Sequence, residues 1–479
     1  MTSSSVKFGT SGLRGLAVEL QGDVARRYTR GFIDYLASIG ASGSGRVFLA
    51  RDFRPSSPAI LADCAAAIRA AGLTPVDCGL IPTPALAFYA MQQGSPSIMI
   101  TGSHIPADRN GLKFYSPAGE ISKADEAGIT AAAANAPAIA DTDLPLEQED
   151  AAGKLYLARY TAPRPLADLS GLRIGVFEHS TVARDLLVAA LEQSGATVLR
   201  LGRRTDFVPV DTEAPNDAVY APLPGWIAEH RLDAIISADG DGDRPFMVDG
   251  NGTFVRGDVL GLLTARFLQA DAIVTPVTSN SAIERTGLFP AVLRTRVGSP
   301  YVIGGMEAAR AEGHRQIIGF EPNGGTLLGS DWSLPGRDLL ALPTRDALLP
   351  LLAVLGLAAR EQLSVADLVA TLPTRPTVSD RLENVPSAAS AAFLQRLEHY
   401  PDYARTFFAP AGAVTSLSAI DGLQFGLDNG ATVHYRASGN APEMRCYVEA
   451  DDLDQARSML NWGLAAAERI VRADVPVEA

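Results

Sequence analysis

Ala234-Ile235-Ile236-Ser237-Ala238-Asp239-Gly240-Asp241-Gly242-Asp243-Arg244 is the stretch on which the fold of this chain turns. A short apolar run reads as a buried strand, and it stops abruptly in a loop where carboxylates alternate with glycines. Carboxylates this crowded repel one another, each pair by about 1 kcal/mol at 4 Å in water and about 4 kcal/mol at an effective dielectric of 20. A divalent cation removes that cost, and hard oxygen ligands favour Mg²⁺. An EF-hand needs Gly at its sixth position and Glu at its twelfth, but those positions hold Arg244 and Gly250. A solvated acidic turn is the ordinary alternative.

The same pattern recurs on either side. Ser97-Ile98-Met99-Ile100 runs into Thr101-Gly102-Ser103-His104, and Gln316-Ile317-Ile318 runs into Gly319-Phe320-Glu321-Pro322-Asn323-Gly324-Gly325. The repeats lie too far apart for a solenoid unit. They suit three similar α/β domains, each placing a loop at the carboxyl end of a strand, where such sheets bind ligands. Near the amino end, Asp23 to Gly40 reads as an amphipathic helix with Val24, Tyr28, Phe32, Leu36 and Ile39 on one stripe. The strand Val47-Phe48-Leu49-Ala50 follows, and then a helix with Ser57 as N-cap, Pro58 first and Gly72 at its end. Helices alternating with short apolar strands indicate buried, largely parallel sheets.

Boundaries fall where composition changes: the Ala/Pro/acid stretch 131–152, the turn Asp249-Gly250-Asn251-Gly252, and Leu372-Pro373-Thr374-Arg375-Pro376. These divide the chain into 1–150, 151–254, 255–371 and 372–479. In the last segment, Gly422 to Tyr435 reads as a hairpin turning at Asn429-Gly430. Another strand, Met444 to Ala450, and a closing helix, Leu453 to Val471, complete an α+β pattern.

With 479 residues, 47% hydrophobic and 20% charged, the chain has the composition of a soluble globular protein of about three domains. Forty-one Lys and Arg against 54 Asp and Glu leave a net charge of −13, which argues against nucleic acid as a partner. Cys64, Cys78 and Cys446 form neither a disulfide framework nor a metal cluster and read as buried free thiols. No apolar leader region or membrane-length apolar run is visible; 347–359 is the longest candidate, and Pro350 and Gly356 interrupt it. A cytoplasmic protein without a membrane or obligate protein partner is the expectation.

Three further stretches could carry chemistry. Asn110-Gly111-Leu112-Lys113 places an amine where it could act on a hydroxyl near Ser103. Arg436-Ala437-Ser438-Gly439-Asn440-Ala441-Pro442-Glu443-Met444-Arg445 joins two arginines, a hydroxyl and backbone N–H groups in a plausible anion nest, where guanidinium matches phosphate bidentately. Thr10-Ser11-Gly12-Leu13-Arg14-Gly15 is another Gly-rich loop with hydroxyls and an arginine. Each alone has a bland reading as a turn or a charged surface.

Together and in this order, these loops resemble the α-D-phosphohexomutase superfamily. The matches run from Phe8-Gly9-Thr10-Ser11-Gly12-Leu13-Arg14-Gly15 to Arg436–Arg445, nearly the whole chain. The resemblance implies three similar mixed-sheet α/β domains plus a smaller α+β C-terminal domain around a central cleft. It implies Ser103 as a phosphoserine, and Asp239, Asp241 and Asp243 with its phosphate as Mg²⁺ ligands. It gives Lys113 general acid/base duty, with Arg14 and His104 supporting Ser103. Thr10, Arg244, Glu321, Asn323, Arg436, Ser438, Gly439, Asn440 and Arg445 would bind the substrate, a small sugar phosphate. A hexose 1,6-bisphosphate would be both intermediate and activator.

The sequence departs from the family pattern in places. Gly102 and Ile105 replace Ala and Asn beside the phosphoserine, Ser299 stands where many members carry His, and Asn440-Ala441 replaces Thr-Glu. Glu321-Pro322-Asn323-Gly324-Gly325 differs from the Glu-x-Ser-Gly-His of dual-specificity mutases and looks closer to the Glu-Ala-Asn-Gly-Gly of phosphomannomutases. Mannose phosphate is therefore the expected substrate, with glucose phosphate or both as the alternative and phosphoglucosamine beyond it. A sugar-phosphate-binding protein without catalysis and a phosphatase are readings from other classes.

Overall fold

The computed structural model describes residues 5–9, 11–142, 144–213, 218–438 and 442–473. The chain forms two compact units, one of residues 1–275, 289–293 and 298–371, the other of 276–288, 294–297 and 372–479. Segment 255–371 therefore contributes to both.

The first unit holds three large mixed sheets built on one plan. In each, the strand leading into an acid- or Gly-bearing loop is flanked by a parallel strand on one side and an antiparallel strand on the other. Ser97–Ile100 lies between Arg46–Arg51, parallel, and Arg109–Ser116, antiparallel. Ala234–Ala238 lies likewise between Arg173–Phe177 and Pro245–Asp249, and Ile317–Phe320 between Ala272–Pro276 and Thr326–Leu328. Each polar loop is thus the reversal from a central parallel strand into its antiparallel neighbour. The sheets are less parallel than the apolar runs predict, because an antiparallel strand buried on both faces is equally apolar.

Burial on both faces explains the runs themselves. Val47 and Leu49 pack into one cluster with Phe32, Ile60 and Phe114, while Phe48 and Ala50 pack into another with Leu86 and Tyr89. Helices on opposite faces leave no polar side for period-two alternation.

Local readings need two amendments. The first long helix spans Asp23–Ser38, and Ile39, expected on its apolar stripe, lies beyond its end and is 54% exposed. Ser57 begins the helix Ser57–Ala70 but does not cap it. Its hydroxyl donates instead to Asp52 Oδ1 at 2.7 Å and accepts from Asn110 Nδ2 at 3.0 Å. The buried carboxylate of Asp52 outcompetes the helix end for that hydroxyl.

The helix Leu348–Glu361 accommodates Pro350 because its first turn has backbone N–H groups with no intrahelical partner to lose. No helix among the described residues is long and apolar enough to cross a membrane. All three cysteines are buried and free, and burial pushes each thiol up to about 12.

The second unit is α+β. Its five-stranded sheet is antiparallel throughout, in the order Thr377–Glu383, Glu443–Glu449, Thr432–Ala437, Leu423–Leu427, Val414–Ser418. The turn between Leu423–Leu427 and Thr432–Ala437 contains Gly430 at φ 79°. The helices Ser387–His399 and Leu453–Ala473 supply Phe393, Leu397, Met459 and Leu460 to its core.

Candidate active site

The first unit brings Ser103, Lys113 and the Asp239–Asp243 loop together. Ser103 is fully buried with φ 55°, a left-handed conformation that a non-glycine residue adopts only when its surroundings enforce it. The enforcement is visible. Thr101 Oγ1 accepts from Ser103 N at 2.7 Å and donates to Asp52 Oδ2 at 2.8 Å. Arg54, itself buried, donates to the carbonyls of Ser103 (3.0 Å), Pro106 (2.6 Å) and Arg109 (2.8 Å). Gly102 has a steric cause as well: a Cβ there would lie 2.6 Å from Arg54 Cζ.

The strained backbone aims Ser103 Oγ at Asp239 Oδ2, 2.5 Å away, with His104 Nδ1 on its other side at 3.3 Å. Burial, with Arg244 and Arg14 beside it, holds His104 well below the usual imidazole range, so the ring is neutral near pH 7.

Asp239, Asp241 and Asp243 are all fully buried, and one oxygen from each lies within 4.8 Å of the others. Asp239 Oδ1 accepts the backbone N–H groups of Asp243 and Arg244, both at 3.2 Å, which folds the loop back on itself. Lys113 Nζ bridges Asp241 Oδ2 (2.6 Å) and Asp243 Oδ2 (2.5 Å), and Thr83 Oγ1 donates to Asp241 Oδ2 at 2.5 Å. Burial and the charges of Asp241 and Asp243 push the Asp239 carboxyl well above its usual range. Burial also raises Asp243, but Arg345, Lys113 and Arg244 outweigh it and hold that carboxyl low.

These carboxylates fit a hard cation. Asp241 Oδ1 and Asp243 Oδ1 are buried without a hydrogen-bond partner, an arrangement that costs free energy unless a cation or water completes it.

Arg14 and Arg244 border the same cluster. Arg14 pairs across the strands with Gly111; burial, with Arg244 and Arg345 nearby, lowers its guanidinium to about 10. Glu321 is buried, its Oε2 3.1 Å from Arg345 Nη1. Asn323 is buried too, but its Oδ1 accepts Gly325 N at 2.9 Å and is spent on holding the loop. Ser299 donates to Glu120 Oε1 at 2.6 Å.

Arg436, Ser438 and Arg445 belong to the second unit. Arg436 and Arg445 face each other directly across neighbouring strands, and like charges so placed repel unless an anion sits with them. Among the described residues, Arg436 pairs with Asp421 at 2.7 Å and Arg445 with Glu443 at 3.3 Å. Thr10, Gly439 and Asn440 lie outside the described residues.

Two arginines escaped the sequence reading. Arg54 stood in view in the polar run after Ala50, yet nothing local shows that it buttresses Ser103. Arg345 is 2% exposed and touches Asp243, Glu321 and Ser11, each at 3.1 Å. Its only local signal is a polar Thr344-Arg345-Asp346 that ends the strand Leu342–Asp346 just before the apolar helix Leu348–Glu361.

Comparison with known proteins gives the family of the chain. Residues 5–139 match phosphoglucomutase/phosphomannomutase alpha/beta/alpha domain I, and residues 256–375 match domain III. A phosphomannomutase of Sinorhizobium fredii is 48% identical over 96% of this chain and 98% of its own. One from Salmonella muenchen is 42% identical over 97% and 96%. The crystal structure of a phosphoglucomutase/phosphomannomutase family protein from Burkholderia thailandensis superposes with a TM-score of 0.76 at 22% identity, covering 97% of this chain and 98% of that one. The chain is an enzyme of the phosphoglucomutase/phosphomannomutase family.

Proposed function

We propose that this enzyme interconverts mannose 6-phosphate and mannose 1-phosphate through a phosphorylated Ser103 and a hexose 1,6-bisphosphate. The observation that carries the chemistry is Ser103 Oγ, buried 2.5 Å from Asp239 in the loop that holds the carboxylate cluster. Mannose as the hexose is supported by the phosphomannomutase relatives at 48% and 42% identity.

Phosphoryl transfer depends on positioning and charge neutralisation, so a fixed nucleophile among cations is the expected equipment. Asp239, Asp241 and Asp243, with the phosphate on Ser103, would hold Mg²⁺, which when bound neutralises charge on the transferring phosphoryl oxygens. In the first transfer the bond from phosphorus to Ser103 Oγ breaks, and one forms to the free sugar hydroxyl. The hydroxyl proton passes to a base, the role proposed for Lys113 in its neutral amine form, in which Nζ has a lone pair free to accept it. In the second transfer the other phosphate of the bisphosphate returns to Ser103 Oγ, and the new sugar hydroxyl receives a proton. His104, kept neutral, hydrogen-bonds Ser103 Oγ without adding charge. Arg14 and Arg244 offset the phosphoryl charge. Arg436, Ser438 and Arg445 would hold the phosphate that is not reacting, which relieves the repulsion between the facing arginines.

The test is relative kcat/KM for mannose 1-phosphate and glucose 1-phosphate in one assay with Mg²⁺ and glucose 1,6-bisphosphate. Preference for mannose 1-phosphate is the expected result. Preference for glucose 1-phosphate overturns the hexose assignment, and release of inorganic phosphate without isomer overturns the mutase reaction.

A further inference from the structure

We propose that Arg345 is a positioning residue for the sugar-binding loop: it fills the room Gly325 leaves and ties Glu321 to the Asp239–Asp243 loop. The role of that loop in binding sugar rests on the mutase reading above.

Gly325 is not a conformational necessity, since its backbone lies outside the left-handed region. Space explains it instead. A Cβ on residue 325 would lie 2.5 Å from Arg345 Cδ, 2.6 Å from Cγ and 2.9 Å from Cβ, closer than side-chain carbons tolerate. A side chain at 325 and an extended one at 345 therefore exclude each other. In this chain the space goes to a guanidinium, which cannot lose its proton and presents a rigid fork of donors.

That fork joins loops from the three large sheets of the first unit. Nε donates to Asp243 Oδ2, Nη1 to Glu321 Oε2 and Nη2 to Ser11 Oγ, each at 3.1 Å. The residues on either side fix its base. Thr344 Oγ1 lies 3.3 Å from both Tyr115 Oη and Glu120 Oε2. Asp346 accepts from Tyr156 Oη at 2.6 Å and from Leu348 N at 2.8 Å. With Oε2 of Glu321 committed to Arg345, Oε1 has no bond from any described residue and is the oxygen left for hexose hydroxyls. Glu321 thus meets the sugar in one orientation, and its charge is balanced by a cation that also steadies a carboxylate of the metal-type cluster.

Calorimetric titration of the Mg²⁺-supplied protein with mannose 6-phosphate, alongside kcat and KM for mannose 1-phosphate, tests this on Arg345→Met and Arg345→Lys. Losing a buried charge-assisted contact weakens binding and raises KM by about tenfold or more. Lysine, with the charge but not the fork, restores part of that loss. Melting curves test the steric half: Gly325→Ala should lower Tm beside Arg345 and do so less in an Arg345→Ala background. Wild-type binding and KM in Arg345→Met, or an equal Tm loss in both backgrounds, overturns the proposal. Should Arg345→Met not fold, Arg345→Lys and the Gly325 comparison decide it. A wild-type protein that neither turns over nor binds mannose phosphates counts against the mutase reading instead, and the melting comparison still judges Arg345.

Discussion

Ser103 carries its side chain on a backbone conformation that costs on the order of 1–3 kcal/mol for a non-glycine residue. Replacing it by Ala or Gly removes the same hydroxyl, so both variants should lose turnover by roughly four orders of magnitude or more. Only glycine releases the strain. Ser103→Gly should therefore be more stable than Ser103→Ala by about 1 kcal/mol, measured by denaturant unfolding, and equal stabilities would show that the loop is unstrained.

His179 offers a second residue-level test. Its Nε2 lies 2.9 Å from Ala238 O, just before the aspartate loop, and burial lowers its imidazole to about 4. Between pH 6.5 and 4 the unfolded chain binds a proton there that the native state does not. Stability from this group is thus lost as pH falls through that window, by about 3 kcal/mol in full. Gln at 179 keeps a donor without the titration, so unfolding of His179→Gln across that window should depend less on pH than wild type. Identical pH profiles would refute the assignment.

At the level of elements, the three strand-and-loop repeats were legible because each apolar strand ends sharply and each loop keeps its chemistry within a few residues. Asp239, Asp241 and Asp243 announce themselves by mutual repulsion wherever they sit. Arg345 could not be read in the same way, because its partner Ser11 is 334 positions away in sequence and local composition carries no trace of that contact. Ser57 failed differently: it has the signature of a helix cap, but the tertiary partner Asp52 claims it. Asn429-Gly430 succeeded because a turn's conformational demand is entirely local.

The Glu321–Gly325 loop is also shaped by an element that the motif does not include. The helix Gly257–Leu268 begins so close to the loop that a Cβ on Gly257 would lie 2.2 Å from Gly324 N. Both sides of that contact are backbone, so neither can swing away. Gly257→Ala should destabilise the protein by about 1–3 kcal/mol and raise KM for the sugar phosphate more than it lowers kcat. A variant with wild-type Tm and KM would show that the contact is dispensable.

Over the whole molecule, the net charge of −13 coexists with a site in which Arg14, Lys113, Arg244 and Arg345 surround buried carboxylates. Overall charge therefore argues against a nucleic-acid surface without excluding a small dianion. Chelation should abolish turnover while leaving far-UV circular dichroism unchanged, because Lys113 and Arg345 already offset two of the three carboxylates without the metal. Loss of secondary structure on chelation would mean that the cation holds the fold as well.

The division into two units does not follow a single cut in the sequence. Asn280 Nδ2 donates to Arg375 O at 2.7 Å, and Ser281 N donates to Glu449 Oε2 at 3.0 Å, so 276–288 depends on residues far beyond it. A chain ending at 371 should melt well below the full-length protein. Equal melting of its first unit would refute that dependence.

That interleaving also sets an order in time. On a ribosome adding about 5–20 residues per second, 276–288 and 294–297 emerge on the order of ten seconds before the last strand and helix that complete their unit. Until then these short pieces wait as unfinished surface, which Glu443–Glu449 and Leu453–Ala473 close.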